Sequence, residues 1–388
     1  MDRTIFTRQE FQHRVERARA LMTELRLDAI MVNSEKNVEY FSGYASDLWA
    51  SPTRPFYFVL PRVGEPIAVL PQGADVAWLN SSWAERMTTW PAPRPENEGV
   101  TELASEIKKV KQQFGRVGIE MGPESRIGMT LNDALQLLDA LRPLEVADCS
   151  GLCRRLRIIK SDAEIARIEK ACTIASDAFD KLPEMITPGS TEKQVANRFM
   201  AAMIAGGADK VLFMAMGAGP GGYETIILRP SQRTLERGDI LAIDTGAEYG
   251  GYFCDFDRTL AIGTPGDEAR RVYEALYRAT DAGLAAARPG NKAADLYHAQ
   301  VNAIEAAGVT PATMGRYGHG LGKMLTEWPS NKPDDHTILQ PGMVMTIEPG
   351  IAYGNGKVMV QEENIVITDD GCRLLSRRAH VEMPVVYW

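Results

Sequence analysis

The sequence predicts an α/β amino-terminal domain followed by a larger α+β domain. Three observations lead there. Helix-like and strand-like patterns alternate through roughly the first 150 residues. A capping-box serine then opens a long amphipathic helix at Ser161. From that point two helices followed by strands occur twice over. The domains are expected at 1–155 and 156–388.

Each element follows from its pattern. Phe11, Val15, Ala18, Leu21, Met22 and Leu25 recur at helical spacing, which predicts a helix over 9–27. LDAIMV (27–32) reads as a buried strand, and FYFVLP (56–61) and PIAVLP (66–71) as a hairpin joined by RVGE. VGIEM (117–121) is a further strand, followed by a helix near 130–142. Ser161 with Glu164 caps the long helix, and a second helix runs from Thr191 to Ala205. Strands are expected at 211–216, 225–229, 239–246 and 252–261, helices at 266–287 and 293–307, and strands at 343–347, 357–360 and 364–368. GAGPGG (217–222) reads as a loop. It lacks the Lys-Ser/Thr of a phosphate-binding loop and opens no helix.

Composition narrows the function classes. Of 388 residues, 45% are hydrophobic and 24% charged, ordinary for a soluble globular chain. No apolar run of about 18 residues is present, so no membrane helix is expected. The first residues mix acidic and basic side chains and do not read as a secretory signal. A net charge of -8 without a basic block argues against nucleic acid as a partner. Five scattered cysteines suggest no disulfide framework and a cytoplasmic location.

Chemistry concentrates in four carboxylates and one histidine. Asp244 ends the apolar strand ILAID, and Asp255 lies eleven residues on, beyond a glycine turn. A hairpin brings two such carboxylates to one face. Asp257 shares that face, either as an extra ligand or paired with a base such as Arg258. His319 sits between glycines in GHGLG, Glu348 ends MVMTIE, and Glu362 precedes ENIVIT, with Glu363 on the opposite face. Two carboxylates about 4 Å apart repel by roughly 4 kcal/mol at an effective dielectric near 20. A converged cluster therefore calls for cations, and divalent ions there would activate water. An oxygen-rich set with one imidazole favours manganese, zinc, cobalt or iron.

These motifs resemble those of the pita-bread metallohydrolases, which include aminopeptidase P, prolidase, methionine aminopeptidase and creatinase. LDAIMVNSEKNVEYFSGY (27–44) is similar to the start of the creatinase/prolidase amino-terminal domain, and LRIIKSDAEIARIEKA (156–171) to the entry helix of the catalytic domain. The resemblance implies a pita-bread catalytic domain and two divalent metal ions. Asp244 would bind one ion, Asp255 and Glu362 both, and His319 and Glu348 the other. It also implies a metal-bridging hydroxide as nucleophile, Glu348 as proton shuttle, and a homodimer.

Two family positions differ. Proline-specific members carry two further histidines beside the metals, and the matching positions here are Ile227 and Thr326. Only five histidines exist, the others being His13, His298, His336 and His380. Losing one oxyanion donor typically costs about 2.7–4 kcal/mol of transition-state stabilisation. Thr326, Arg229, Tyr223 and Lys323 are the substitutes near the motifs. Trp328, Tyr317, Tyr223, Phe213 and Trp49 could instead build a cage for a cationic substrate, or be ordinary core aromatics. The first reading is thus an Xaa-Pro aminopeptidase- or prolidase-like hydrolase of short peptides. The second is a non-peptidase dinuclear-metal hydrolase or lyase of osmolyte or amino-acid-derivative catabolism. A silent binding module is the third, and the retained ligand motifs argue against it.

Overall fold

The computed structural model describes residues 6–388, which form two compact units divided after Arg157. In the first, the helix Arg8–Glu24 starts where the Thr7 hydroxyl accepts the Glu10 N–H, and it buries Phe11, Val15, Ala18 and Met22. A six-stranded sheet runs in the order Met87–Trp90, Ile67–Pro71, Tyr57–Pro61, Ala29–Val32, Arg116–Ile119, Glu145–Asp148. The RVGE hairpin is antiparallel, and the last three strands run parallel. Ala29–Val32 is buried at every position because both sheet faces are covered. Ile30 and Val32 join Phe41, Phe58 and Trp78, while Ala29 and Met31 join Tyr57, Trp90 and Leu103. The edge strands MTTW and EVAD have no apolar run, which is why the sequence pattern does not reveal them.

The second unit opens with the helix Asp162–Asp180, held by the expected reciprocal bonds between Ser161 and Glu164. The helix Glu192–Ala205 follows, capped in the same way by Thr191 and Gln194. These precede a sheet ordered Val385–Val386, Phe256–Ile262, Asp239–Thr245, Met214–Pro220. A second helix pair, Asp267–Ala286 and Ala293–Ala306, precedes a sheet ordered Glu327–Ser330, His319–Gly320, Val344–Ile347, Glu363–Ile367, Cys372–Leu374. A smaller hairpin, Gly350–Tyr353 with Lys357–Val360, completes this half.

Two expectations are corrected here. Residues 217–220 are not loop but the end of the strand Met214–Pro220, paired residue for residue with Asp239–Thr245. Residues 225–229 form no strand. Glycines permit the first: a Cβ at Gly217 would lie 2.4 Å from Leu228 and one at Gly219 2.5 Å from the Gly222 carbonyl. The 225–229 segment therefore lies against the strand rather than extending it.

Candidate metal centre

The first half-sheet supplies three aspartates. Phe256 pairs with Thr245 and Asp257 with Asp244, so Asp257, not Asp255, stands directly across from Asp244. Asp255 precedes the strand, and its backbone N–H donates to Asn364 Oδ1 at 3.0 Å. The turn closes tightly because residue 246 is glycine: a Cβ there would lie 1.8 Å from the Cys254 carbonyl oxygen.

The second half-sheet supplies His319, Glu348 and Glu362. Gly318 holds φ +125°, and a Cβ there would lie 2.2 Å from the Thr346 carbonyl oxygen and 2.4 Å from Asn331 Nδ2. That close approach seats His319, whose backbone N–H donates to Thr346 Oγ1 at 3.0 Å. Its Nδ1–H donates to the Gly320 carbonyl oxygen at 2.9 Å, which keeps the ring proton on Nδ1 and leaves Nε2 bare. Nε2 lies 3.5 Å from Asp255 Oδ2. Glu362 is buried, and Glu363 points the other way to Arg258 and Arg378, as strand alternation requires.

Two groups converge: Asp255, His319 and Glu362, and Asp244, Asp257 and Glu362. Within each, the ligand atoms lie within 4.8 Å of one another, and Glu362 belongs to both. At that separation each ionised carboxylate pair repels by at least about 3.5 kcal/mol at an effective dielectric near 20. Three such pairs approach the whole stability of a domain, about 5–15 kcal/mol. Burial, then mutual repulsion with Asp255, pushes Asp244 up to about 8. Burial likewise pushes Asp255 up to about 8 and Glu348 up to about 7. Burial, and then the neighbouring carboxylates, also push Asp257 and Glu362 well above the usual carboxylate range. Burial lowers the His319 pKa, which keeps its imidazole neutral as a ligand must be. Asp257 Oδ2 and Glu362 Oε1 are buried without a hydrogen-bond partner among the described residues. Unpaired buried oxygens in an all-oxygen set with one bare imidazole nitrogen fit divalent cations.

The cluster opens on a cavity of about 1030 Å³ whose wall carries Asp244, Asp255, His319, Glu348 and Glu362. Thr326 and the 85% exposed Ile227 stand on the same wall. Arg316 also lines it, and the sequence reading missed it. Its guanidinium donates to Thr326 Oγ1 at 3.3 Å and makes no ion pair within 4 Å among the described residues. Its charge acts on Asp255, Glu348 and His319. The only sequence cue is an arginine three residues before His319, too weak to use alone.

Several expected substrate contacts lie elsewhere. Tyr223 is buried with its hydroxyl 3.0 Å from Thr259 Oγ1. Tyr317 is buried with its hydroxyl 2.9 Å from the carbonyls of Ala312 and Gly350. Trp328 packs on the core of Ile158, Met345 and Ile365. None of the three lines the cavity, because each satisfies itself within the core. Arg229 is exposed beside an adjoining depression that also reaches Asp244. Lys323 is buried over the Tyr252 ring. Of the expected aromatic cage only Phe213 reaches the cavity, while Trp49 packs against Phe56, rings tilted, in the other unit. His298, His336 and His380 do not line it. Asp257 is not paired with Arg258, whose guanidinium bonds Glu363 and the carbonyls of Asp257, Glu362 and Arg377.

The model of metallopeptidase family M24 matches residues 166–370, the part of the chain that carries all of these carboxylates and His319. The chain belongs to family M24. It is a metal-dependent peptide hydrolase, with a pita-bread catalytic unit preceded by a creatinase/prolidase amino-terminal domain matched over 14–159. An Xaa-Pro dipeptidase of Pyrococcus horikoshii is 30% identical over 94% of this chain and 97% of its own. The crystal structure of dipeptidase PepE from Mycobacterium ulcerans superposes with a TM-score of 0.84 at 29% identity, covering 99% of this chain and 100% of that one. The prolidase from Pyrococcus horikoshii gives 0.80 at 27%, covering 95% and 99%. Membership of M24 implies divalent metal ions for this chain.

Proposed function

We propose that this M24 member hydrolyses the amide bond of a short peptide, a dipeptide being the smallest, at a centre of two divalent ions. The observation that carries this is the convergence of two ligand groups sharing Glu362 on the wall of one cavity. Relatives named Xaa-Pro dipeptidase and dipeptidase PepE support the same substrate size. Asp244, Asp255, His319, Glu348 and Glu362 would hold the ions, manganese, zinc, cobalt and iron all suiting the donors. When bound, such ions lower the pKa of water and polarise a carbonyl.

The side chains around the centre divide the remaining work. Glu348 stands half-buried on the cavity wall and moves a proton from the attacking water to the leaving amine. Arg316, with Thr326 aligned by its hydrogen bond, supplies the donor that meets the substrate's carbonyl or terminal carboxylate oxygen. Together they take over the work of the imidazoles that Ile227 and Thr326 replace. Ile227 offers an apolar wall to the adjoining side chain. We also propose that the chain acts in the cytoplasm as a homodimer, which light scattering of the purified protein checks. Among the described residues no helix is long and apolar enough to cross a membrane.

A second reading, non-peptidase hydrolysis or elimination on a small osmolyte or amino-acid derivative, is favoured by the absence of both histidines. A panel of dipeptides, Xaa-Pro dipeptides and small betaines, each assayed with manganese, zinc, cobalt or iron, separates the two. Dipeptide cleavage supports the first reading; turnover of betaines alone overturns it.

A further inference from the structure

The five ligand motifs do not exhaust the carboxylates at this centre. Asp257 is 1% exposed and sits directly opposite Asp244 in the antiparallel ladder. Like charges directly opposed across strands destabilise a sheet. Among the described residues no direct contact relieves the opposition, and the charge of Arg258 acts on Asp257 only from beyond ion-pair distance. Asp257 makes no ion pair within 4 Å among the described residues, and its Oδ2 has no hydrogen-bond partner. Arg258, its neighbour in sequence, faces the other way and is committed to Glu363 and three carbonyls.

Placement decides what Asp257 can do. Its oxygen converges with those of Asp244 and Glu362 within 4.8 Å. Both of those neighbours also line the substrate cavity, whereas Asp257 does not. It lies behind them, out of reach of substrate, so it is no general base. An ionised carboxylate buried there has one partner available, a cation gripped from the far side. Its pairing with Asp244 in the ladder fixes which face its side chain takes.

We propose that Asp257 is a sixth protein ligand, giving a carboxylate oxygen to the divalent ion held by Asp244 and Glu362. This rests on the two-ion reading above. It gives the half of the centre furthest from His319 an all-carboxylate donor set, which favours hard cations such as manganese over softer ones.

The test is metal binding, not turnover. Wild type, Asp257→Asn and Asp257→Ala are stripped with chelator, titrated with manganese by calorimetry, and counted for bound metal after dialysis. The expected result is two manganese ions on wild type, and on both variants one ion held normally with the second weakened at least tenfold. Thermal melts of the stripped proteins guard against misfolding. Removing an opposed carboxylate leaves the stripped Asp257→Asn variant as stable as stripped wild type or more so. Equal affinity for both ions in wild type and variants overturns this proposal alone, and so does a stripped Asp257→Asn variant that melts well below stripped wild type. Wild type that takes up no ion overturns the two-ion reading as well.

Discussion

Replacing Arg316 by glutamine removes a cationic donor of the cavity wall whose charge acts on Asp255 and Glu348. The structure separates its effects on catalysis and on stability. Arg316 is half-buried, its single hydrogen bond is long at 3.3 Å, and it makes no ion pair within 4 Å among the described residues. Its contribution to folding is therefore about 0.5 kcal/mol, a shift of roughly 1–2 °C in a unit of this size. As a donor to a developing oxyanion it contributes about 2.7–4 kcal/mol, so kcat/KM on the best dipeptide falls by roughly 10²–10³-fold. Arg316→Lys keeps the charge without the fork and recovers part of the loss. The charge of Arg316 favours ionisation of Asp255 and Glu348, so its removal also moves the acid limb of the pH profile upward. The assay is steady-state hydrolysis across pH, with melting temperature and metal content measured on the same preparations. Activity within threefold of wild type at equal metal content would refute the assignment.

Asp255→Asn removes the carboxylate that meets His319 at 3.5 Å, and turnover falls below about 1% of wild type with loss of bound metal, read by elemental analysis. Lys160→Met removes the cation paired at 3.0 Å with the buried carboxylate of Glu327, which the Met324 N–H also meets, and destabilises the fold by about 3 kcal/mol in denaturant melts. Adding Glu327→Leu restores most of that loss. The chelated protein loses stability as pH rises. Asp244, Asp255 and Glu348 hold protons in the folded state up to about 7–8, which the unfolded chain releases near 4. Their contribution is intact below about 4 and disappears through pH 8, at about 1.4 kcal/mol for each unit by which a pKa is raised. Melts of chelated protein from pH 5 to 8.5 should fall steadily, and saturating manganese should flatten or reverse the trend; a chelated protein that gains stability over this range contradicts the cluster's electrostatics.

Two of the residues legible in the sequence, Asp244 and Glu348, follow an apolar run. ILAI before Asp244 and MVMTI before Glu348 mark strands that carry an acid, half-buried at the cavity wall, that needs a partner. His319 between glycines is legible because Gly318 allows a backbone approach that no side chain would. What stayed hidden depends on register and depth. Asp257 and Arg258 are sequence neighbours and read as a pair, yet a strand sends them to opposite faces. Their true partners, Asp244 and Glu363, are fixed by pairing that no local pattern encodes. Tyr317 and Trp328 lie within nine residues of His319, but nearness in sequence does not put a ring on the cavity wall. Arg316 was overlooked because a lone half-exposed arginine carries no periodic signature. The edge strands of the first unit were hidden for want of an apolar run, whereas the helix Val100–Lys108 carries Val100, Leu103, Ala104 and Ile107 at helical spacing and was passed over.

Joint binding of divalent cations by the carboxylates and His319 underlies every role proposed above. Anomalous diffraction from crystals grown in manganese tests it most directly. The account predicts two peaks, one among Asp255, His319 and Glu362 and one among Asp244, Asp257 and Glu362. A manganese-soaked crystal with no anomalous density between those side chains would contradict it.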